Sequence, residues 1–390
     1  MKSEFMYTPL DEIYNKELRR QASTVELIAS ENFVSPRVLK YLGSEFTNKY
    51  TEGYPGKRYY GGCEFYDELE AYCQELWKDV FSTTYHVNVQ PHSGTSANLA
   101  AISAVVNPGE TILSMNLDCG GHLSHGARVS QVGKLYNIVN YGVDDDGWID
   151  YDKVAKLAYQ CQPKLIICGA SAYSRKIDYI RFAEIARSVN AYLLADIAHV
   201  AGLIAVNKLP SPFGYADIIT STTQKTLRGP RGGLIFCVPE LAKKIDSAVF
   251  PGTQGGSLMN VIAAKAACAE EALEPEFVDY IDEVMYNAKA MAARFMSHGY
   301  NVITDGTDNH MFLVDLRGTG LTGIDVQNEL EKNDVTLNKN AIPNDPLPPS
   351  KTSGIRIGTP AMTTKGWRAY DFCMCADNIC NTLDEMRAAL

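Results

Sequence analysis

From Phe65 to about Cys268 the chain alternates short apolar runs with longer amphipathic ones. Thr111-Ile112-Leu113-Ser114-Met115, Lys164 to Cys168, Ala191 to Ala195, Ala216 to Thr220 and Gly233 to Cys237 read as buried strands, and stretches such as Arg181 to Asn190 as helices. That alternation predicts a mostly parallel sheet covered by helices. Before it, Asp11 to Ala29 reads as a charged helical arm, and Tyr50 to Gly62, with its Gly, Tyr and Lys residues, as a loop. After it, Glu270 to His298 reads as one long helix and linker, followed by the strands Asn301 to Thr304 and His310 to Leu316 and two later helices in a smaller α+β unit. The expected division is an arm (1–48), a large domain (49–270) and a small C-terminal domain (271–390).

Composition narrows the class. A chain of 390 residues, 46% hydrophobic, can bury a large core and divide in two. Its net charge of −10 argues against nucleic acid or an anionic membrane as partner. Met1 to Met6 carries no apolar leader and no later run is long and uncharged enough to span a bilayer, so a cytoplasmic protein is expected. The ten cysteines read as reduced thiols; even Cys373, Cys375 and Cys380, on one helical stretch, lack zinc spacing, and no metal is expected. Cys119 stands apart, just before Gly120-Gly121-His122.

Three segments carry candidate chemistry. Ser221 to Arg231 (Ser-Thr-Thr-Gln-Lys-Thr-Leu-Arg-Gly-Pro-Arg) places Lys225 in a turn between two strands, among hydroxyls and two arginines. An amine at that edge, with arginines lowering its pKa, is equipped to form a Schiff base, although a solvated turn explains the spacing too. Ala191 to His199 is an apolar strand ending in Asp196 and His199, and a carboxylate that deep needs a cation or donor. The protonated pyridine nitrogen of pyridoxal phosphate is one such partner. Gln90 to Asn98, with Ser93, Gly94 and Thr95, opens a helix and offers free N–H groups to a phosphate. The order phosphate cup, acid, lysine points to that cofactor.

Glu26 to Asn32, Asn48 to Gly62, Gly120 to Gly126 and Thr352 to Pro360 resemble serine hydroxymethyltransferases, and the resemblance runs almost the whole chain. It implies the aspartate-aminotransferase-like α/β fold of pyridoxal-phosphate enzymes (fold type I), with Lys225 holding the cofactor and Asp196 keeping its ring nitrogen protonated. It implies His122 stacked on the ring and Ser93, Gly94 and Thr95 on the phosphate, helped across a subunit boundary by Tyr50 and Gly256. Ser171 and His199 fall near the phenolic oxygen, and Gln224 beside the lysine. Arg356 is implied for the substrate carboxylate, Ser30 and Tyr60 for the rest of the amino-acid pocket, and Glu52 for proton transfer in the partner's site. Leu117, Gly121, Leu123 and Asn340 are implied for tetrahydrofolate. The expected reaction is serine plus tetrahydrofolate giving glycine plus methylenetetrahydrofolate, in a homodimer or tetramer with shared sites.

The chain departs from the family pattern at the cofactor. Gln224 stands for the usual histidine and Ser96 for a glutamine; Asp118-Cys119 replaces a small residue and a histidine. Thr253 stands for a glycine, and Ser257 and Asn260 for a proline and a histidine. Such changes leave open a folate-independent aldol enzyme of the same fold (a threonine-type aldolase, an α-methylserine hydroxymethyltransferase or a transaldolase) or a cofactor-binding paralogue without turnover.

Overall fold

The structure is a computed structural model that describes residues 7–390; Met1 to Met6, on which the expectation about a leader falls, lie outside the described residues. Seven strands form the central sheet: β1 (His86–Asn88), β2 (Thr111–Met115), β3 (Asn137–Tyr141), β4 (Leu165–Gly169), β5 (Tyr192–Asp196), β6 (Ile218–Thr222) and β7 (Gly233–Cys237), in the order β1-β7-β6-β5-β4-β2-β3. Neighbours from β6 through to β3 are parallel, and only β7 runs against its neighbours β1 and β6. Strands β4, β6 and β7 are buried at every residue, which is why they read as unbroken apolar runs rather than alternating ones. The carboxyl ends of β4, β5 and β6 carry the next loops to one edge, where an open α/β sheet binds its ligand.

A second sheet, β8 (Asn301–Val302), β9 (Met311–Asp315), β10 (Asn338–Asn340) and β11 (Gly354–Gly358), is antiparallel in the order β8-β9-β11-β10. Its core joins Phe312, Val314, Ile355 and Ile357 to Phe372, Ile379 and Leu383 of the last helix, Ala369–Ala388. No helix among the described residues is long and apolar enough to cross a membrane.

Several elements differ from the sequence reading, each for a local reason. The arm helix covers Pro9–Ser23, started by a Thr8–Asp11 capping box, and does not reach Ala29. Thr24 turns extended and Val25–Glu26 pair in parallel with Val335–Thr336 in a separate two-stranded sheet, tying the end of the arm to the segment that leads into β10. Inside the expected loop, Gly53–Tyr54 and Lys57–Arg58 form a hairpin whose turn holds Gly56 at φ +73°. A Cβ on Gly53 would stand 2.3 Å from the Lys57 carbonyl oxygen. The long helix is two, Met259–Ala272 and Pro275–Ser297, because Pro275 has no N–H to continue the first. β8 stops at Val302, since Thr304 adopts φ +64°. A third late helix, Pro360–Thr364, was not expected.

Candidate active site at the strand ends

The loops beyond β4, β5 and β6 meet the helix Gly94–Val105 and the small sheet around one cavity of about 680 Å³. Of the residues singled out in the sequence, Ser30, Ser93, Gly94, Thr95, Leu117, Gly121, His122, Leu123, Ser171, Asp196, His199, Gln224, Lys225, Asn340 and Arg356 all line it.

Lys225 follows β6 and is buried. Its backbone carbonyl accepts from Asn32 Nδ2 at 2.8 Å, and Asn32 Oδ1 in turn accepts from Thr364 Oγ1 at 2.7 Å, so three segments fix the loop. Burial draws the amine down to about 8, with Arg356 and Arg231 adding to the shift and Asp196 opposing it. Of the two arginines expected to do this, only Arg231 does. Arg228, at φ +58°, swings away and lays its guanidinium 4.0 Å from the Tyr280 ring centroid. The run of hydroxyls also works differently from the reading. Thr223 donates to the Pro230 carbonyl at 2.5 Å and Thr226 to that of His199 at 3.1 Å, leaving Thr222 to line the cavity.

Asp196 ends β5 within a network that the sequence reading missed. Its Oδ2 accepts from Asn98 Nδ2 at 2.8 Å and pairs with His125 Nε2 at 2.9 Å; Asn98 Oδ1 accepts from Thr220 Oγ1 at 2.6 Å. Burial alone would raise the Asp196 pKa, but the His125 bond and charge, with His122 and Asn98, outweigh it and hold the carboxyl well below the usual range. The site therefore keeps an anion under its floor. His122 Nδ1 accepts from the Ser124 N–H at 3.2 Å, and burial lowers its pKa to about 4, leaving a neutral ring beside the cavity. His199 Nδ1 lies 3.3 Å from His310 Nε2 with the rings stacked, and burial, then Lys225 and Arg356, push His199 well below its usual value.

Arg356 lies in β11 opposite Leu313. Its Nε donates to Asn338 Oδ1 at 3.1 Å and its Nη1 to the Ser171 carbonyl at 2.6 Å, while burial lowers it to about 10. No carboxylate of the described residues pairs with it, so a buried guanidinium is aimed into the cavity without a counter-ion. At the helix start, Ser93 and Ser96 form a capping box, so Ser96 serves the cap itself. The backbone packs tightly here: a Cβ on Gly94 would stand 2.5 Å from Thr222 Cγ2, and one on Gly121 2.2 Å from the Met115 carbonyl oxygen.

Tyr50, Glu52, Tyr60 and Gly256 are placed elsewhere. Glu52 lies against Tyr60 and raises its pKa, the Tyr50 and Tyr60 rings meet edge to face at 5.5 Å, and a Cβ on Gly256 would stand 3.4 Å from Tyr50 Cε1. This cluster borders a separate open depression with Phe250 and Thr253, so within one chain Tyr60 sits beside Glu52 and apart from the cavity that Ser30 lines. The departures from the family pattern mostly find partners within the chain: Thr253 Oγ1 donates to the Ala248 carbonyl, Ser257 Oγ lies 2.9 Å from Thr51 Oγ1, and Asn260 Nδ2 donates to the Leu42 carbonyl. Gln224 and Asp118 are the two that line the cavity.

The residues present fit pyridoxal phosphate: a buried amine with no hydrogen-bonded partner among the described residues, a held carboxylate, a helix start cleared by Gly94 and a neutral imidazole. With the mostly parallel sheet, they define a pyridoxal-phosphate enzyme of fold type I. The comparisons narrow this. The family profile of serine hydroxymethyltransferase matches residues 6–379. The serine hydroxymethyltransferase of Halorhodospira halophila is 55% identical over 372 residues, 95% of this chain and 89% of that protein. Serine hydroxymethyltransferase 3 of Pseudomonas fluorescens is 55% identical over 375 residues, covering 95% and 90%. The enzyme of Legionella pneumophila strain Lens is 55% identical over 373 residues, covering 95% and 89%. The chain belongs to the serine hydroxymethyltransferase family: it is a pyridoxal-phosphate-dependent one-carbon transferase acting on serine and glycine, with tetrahydrofolate as co-substrate. Among the readings that the departures left open, this is the one the relatives support.

Proposed function

We propose that the Lys225 cavity is where serine and glycine are interconverted, and that a second copy of the chain completes it. The observation that carries this reading is the division of the site: amine, acid and guanidinium share one cavity, while Glu52, Tyr50, Tyr60 and Gly256 sit together at a separate, open surface. The arm helix supports it, since Leu10, Ile13, Tyr14 and Leu18 are exposed on a helix that buries none of its residues.

When bound, the cofactor supplies the sink for the electron pair released at the substrate Cα. Lys225, drawn down to about 8, offers a neutral amine to it at a useful fraction near neutral pH. Asp196 holds a proton at the pyridine nitrogen, and His125 and Asn98 keep that carboxylate ionised and aimed. Ser93, Gly94 and Thr95 hold the phosphate, His122 covers the ring face, and Ser171, His199 and Gln224 border its other edges. Arg356 binds the amino-acid carboxylate with Ser30 nearby. Glu52 of the second copy moves the proton at the serine hydroxyl, with that copy's Tyr60 beside it and its Tyr50 and Gly256 on the phosphate. Leu117, Leu123, Gly121 and Asn340 receive the folate. A cytoplasmic setting is part of this reading, and ten free thiols suit a reducing compartment.

The test is complementation. Lys225→Ala and Glu52→Gln should each abolish serine turnover, but hybrids formed by unfolding and refolding an equal mixture should regain about a quarter of the wild-type rate. Half of the dimers are then mixed, and each mixed dimer has one intact site of two. No recovery from hybrids shown to have formed would mean that Glu52 and Lys225 act within one chain.

A further inference from the structure

Lys265 lies in the middle of the helix Met259–Ala272, only 1% exposed, and takes no part in the site described above. Its ammonium donates to three carbonyls, Val89 at 2.7 Å, Gly233 at 2.8 Å and Pro91 at 3.0 Å, which uses all three of its N–H groups. The nearby carboxylate, Glu70, is taken by Arg58 Nη2 at 2.6 Å and Gln90 Nε2 at 2.8 Å, so no ion pair to Lys265 forms among the described residues. A buried ammonium without a counter-ion is costly, and burial already draws Lys265 down to about 8.

The three carbonyls belong to two segments that meet at the cofactor site. Val89 and Pro91 lead from β1 into Ser93, the cap of the phosphate helix. Gly233 opens β7 at the end of the loop that began with Lys225. The Gly233 N–H also donates to the Pro91 carbonyl at 3.0 Å. Glycines make room for this: a Cβ on Gly232 would stand 2.4 Å from Lys265 Cε, and one on Gly233 2.3 Å from the Ser93 carbonyl oxygen. The lysine reaches through the Gly232-Gly233 gap and fastens one wall of the anion site to the other.

We infer that Lys265 is a positioning residue for the cofactor phosphate, clamping the Pro91–Ser93 segment to Gly233 and placing a buried positive charge behind the helix start that receives the anion. The dianion is then the counter-ion that the ammonium lacks, separated from it by the loop that it holds. This inference rests on Ser93–Thr95 being the phosphate cup.

The test compares binding of pyridoxamine 5′-phosphate and of pyridoxamine, which lacks the phosphate, to the cofactor-free protein, with melting temperature recorded alongside. The wild type should bind the phosphorylated ligand far more tightly; equal binding would overturn the cup assignment itself. Lys265→Met should lower that preference by about tenfold or more, the scale of one lost charge-assisted contact, while pyridoxamine binds as before. A wild-type preference in a folded Lys265→Met, whatever its melting temperature, would overturn the proposal. Should that variant not fold, Lys265→Gln keeps two N–H donors and removes the charge, and the same loss of preference is expected. If neither folds, Lys265 belongs to the scaffold and the proposal fails.

Discussion

Replacing Arg356 with lysine tests whether a two-pronged carboxylate contact exists. The guanidinium has five N–H groups. One goes to Asn338 Oδ1 and one to the Ser171 carbonyl, which leaves three toward the cavity, enough for both oxygens of an amino-acid carboxylate. Lysine keeps the charge but has no planar fork, so at least one charged hydrogen bond to the substrate is lost. Such a bond is worth about 1.5–3 kcal/mol, so glycine should bind roughly 10- to 150-fold more weakly. Cofactor affinity should change little, because Arg356 anchors to Asn338 and Ser171 and not to the phosphate cup. Although burial lowers it to about 10, the guanidinium stays charged through neutral pH, so the comparison is clean at pH 7 to 8. The assay is a spectral titration of the cofactor-loaded protein with glycine. Unchanged glycine affinity would assign the carboxylate to another residue; a parallel loss of cofactor would show that Arg356 acts on the fold.

Asp196→Asn keeps the shape and removes the anion, and should lower serine turnover at least roughly 10- to 150-fold, as for a lost charged contact, in steady-state assays with saturating cofactor. Because the Asp196 carboxyl is held below its ordinary range, its ionised form contributes stability above about pH 4 that is lost as the pH falls, so denaturant unfolding of the variant should weaken less steeply between about pH 5 and 3. Gln224→His returns the residue the family usually carries beside the lysine; it should raise kcat for serine while glycine affinity stays close to wild type, and a fall in kcat would show that Gln224 is tuned to this chain's own site.

What could be read from the sequence was whatever is local to a strand end. Lys225, Asp196 and Ser93 each follow or precede an apolar run, so parallel strands bring them to one edge without any knowledge of packing. Polar residues inside apolar runs were less legible. Asn98, His125, His310 and Lys265 look like interruptions of a pattern, and only the fold shows that Asn98 and His125 grip Asp196, that His310 backs His199 and that Lys265 crosses to three carbonyls. The clearest signal for Asn98 was an amide within Ala97-Asn98-Leu99-Ala100, a buried polar group that needs partners. Arg228 misled for the opposite reason: its place beside Lys225 is close in sequence, but a left-handed backbone turns it onto Tyr280. The joint between Ala272 and Pro275 was visible in principle, since an interior proline removes a donor.

On the function proposed above, Lys225 and no other lysine carries the cofactor. Borohydride reduction of the cofactor-loaded protein followed by peptide mapping tests it directly, because reduction fixes the ligand to the amine that holds it. The expected result is a single modified site at Lys225, lost in Lys225→Ala. Label on another lysine of the wild type, above all on Lys265, the other deeply buried amine drawn down to about 8, would contradict it.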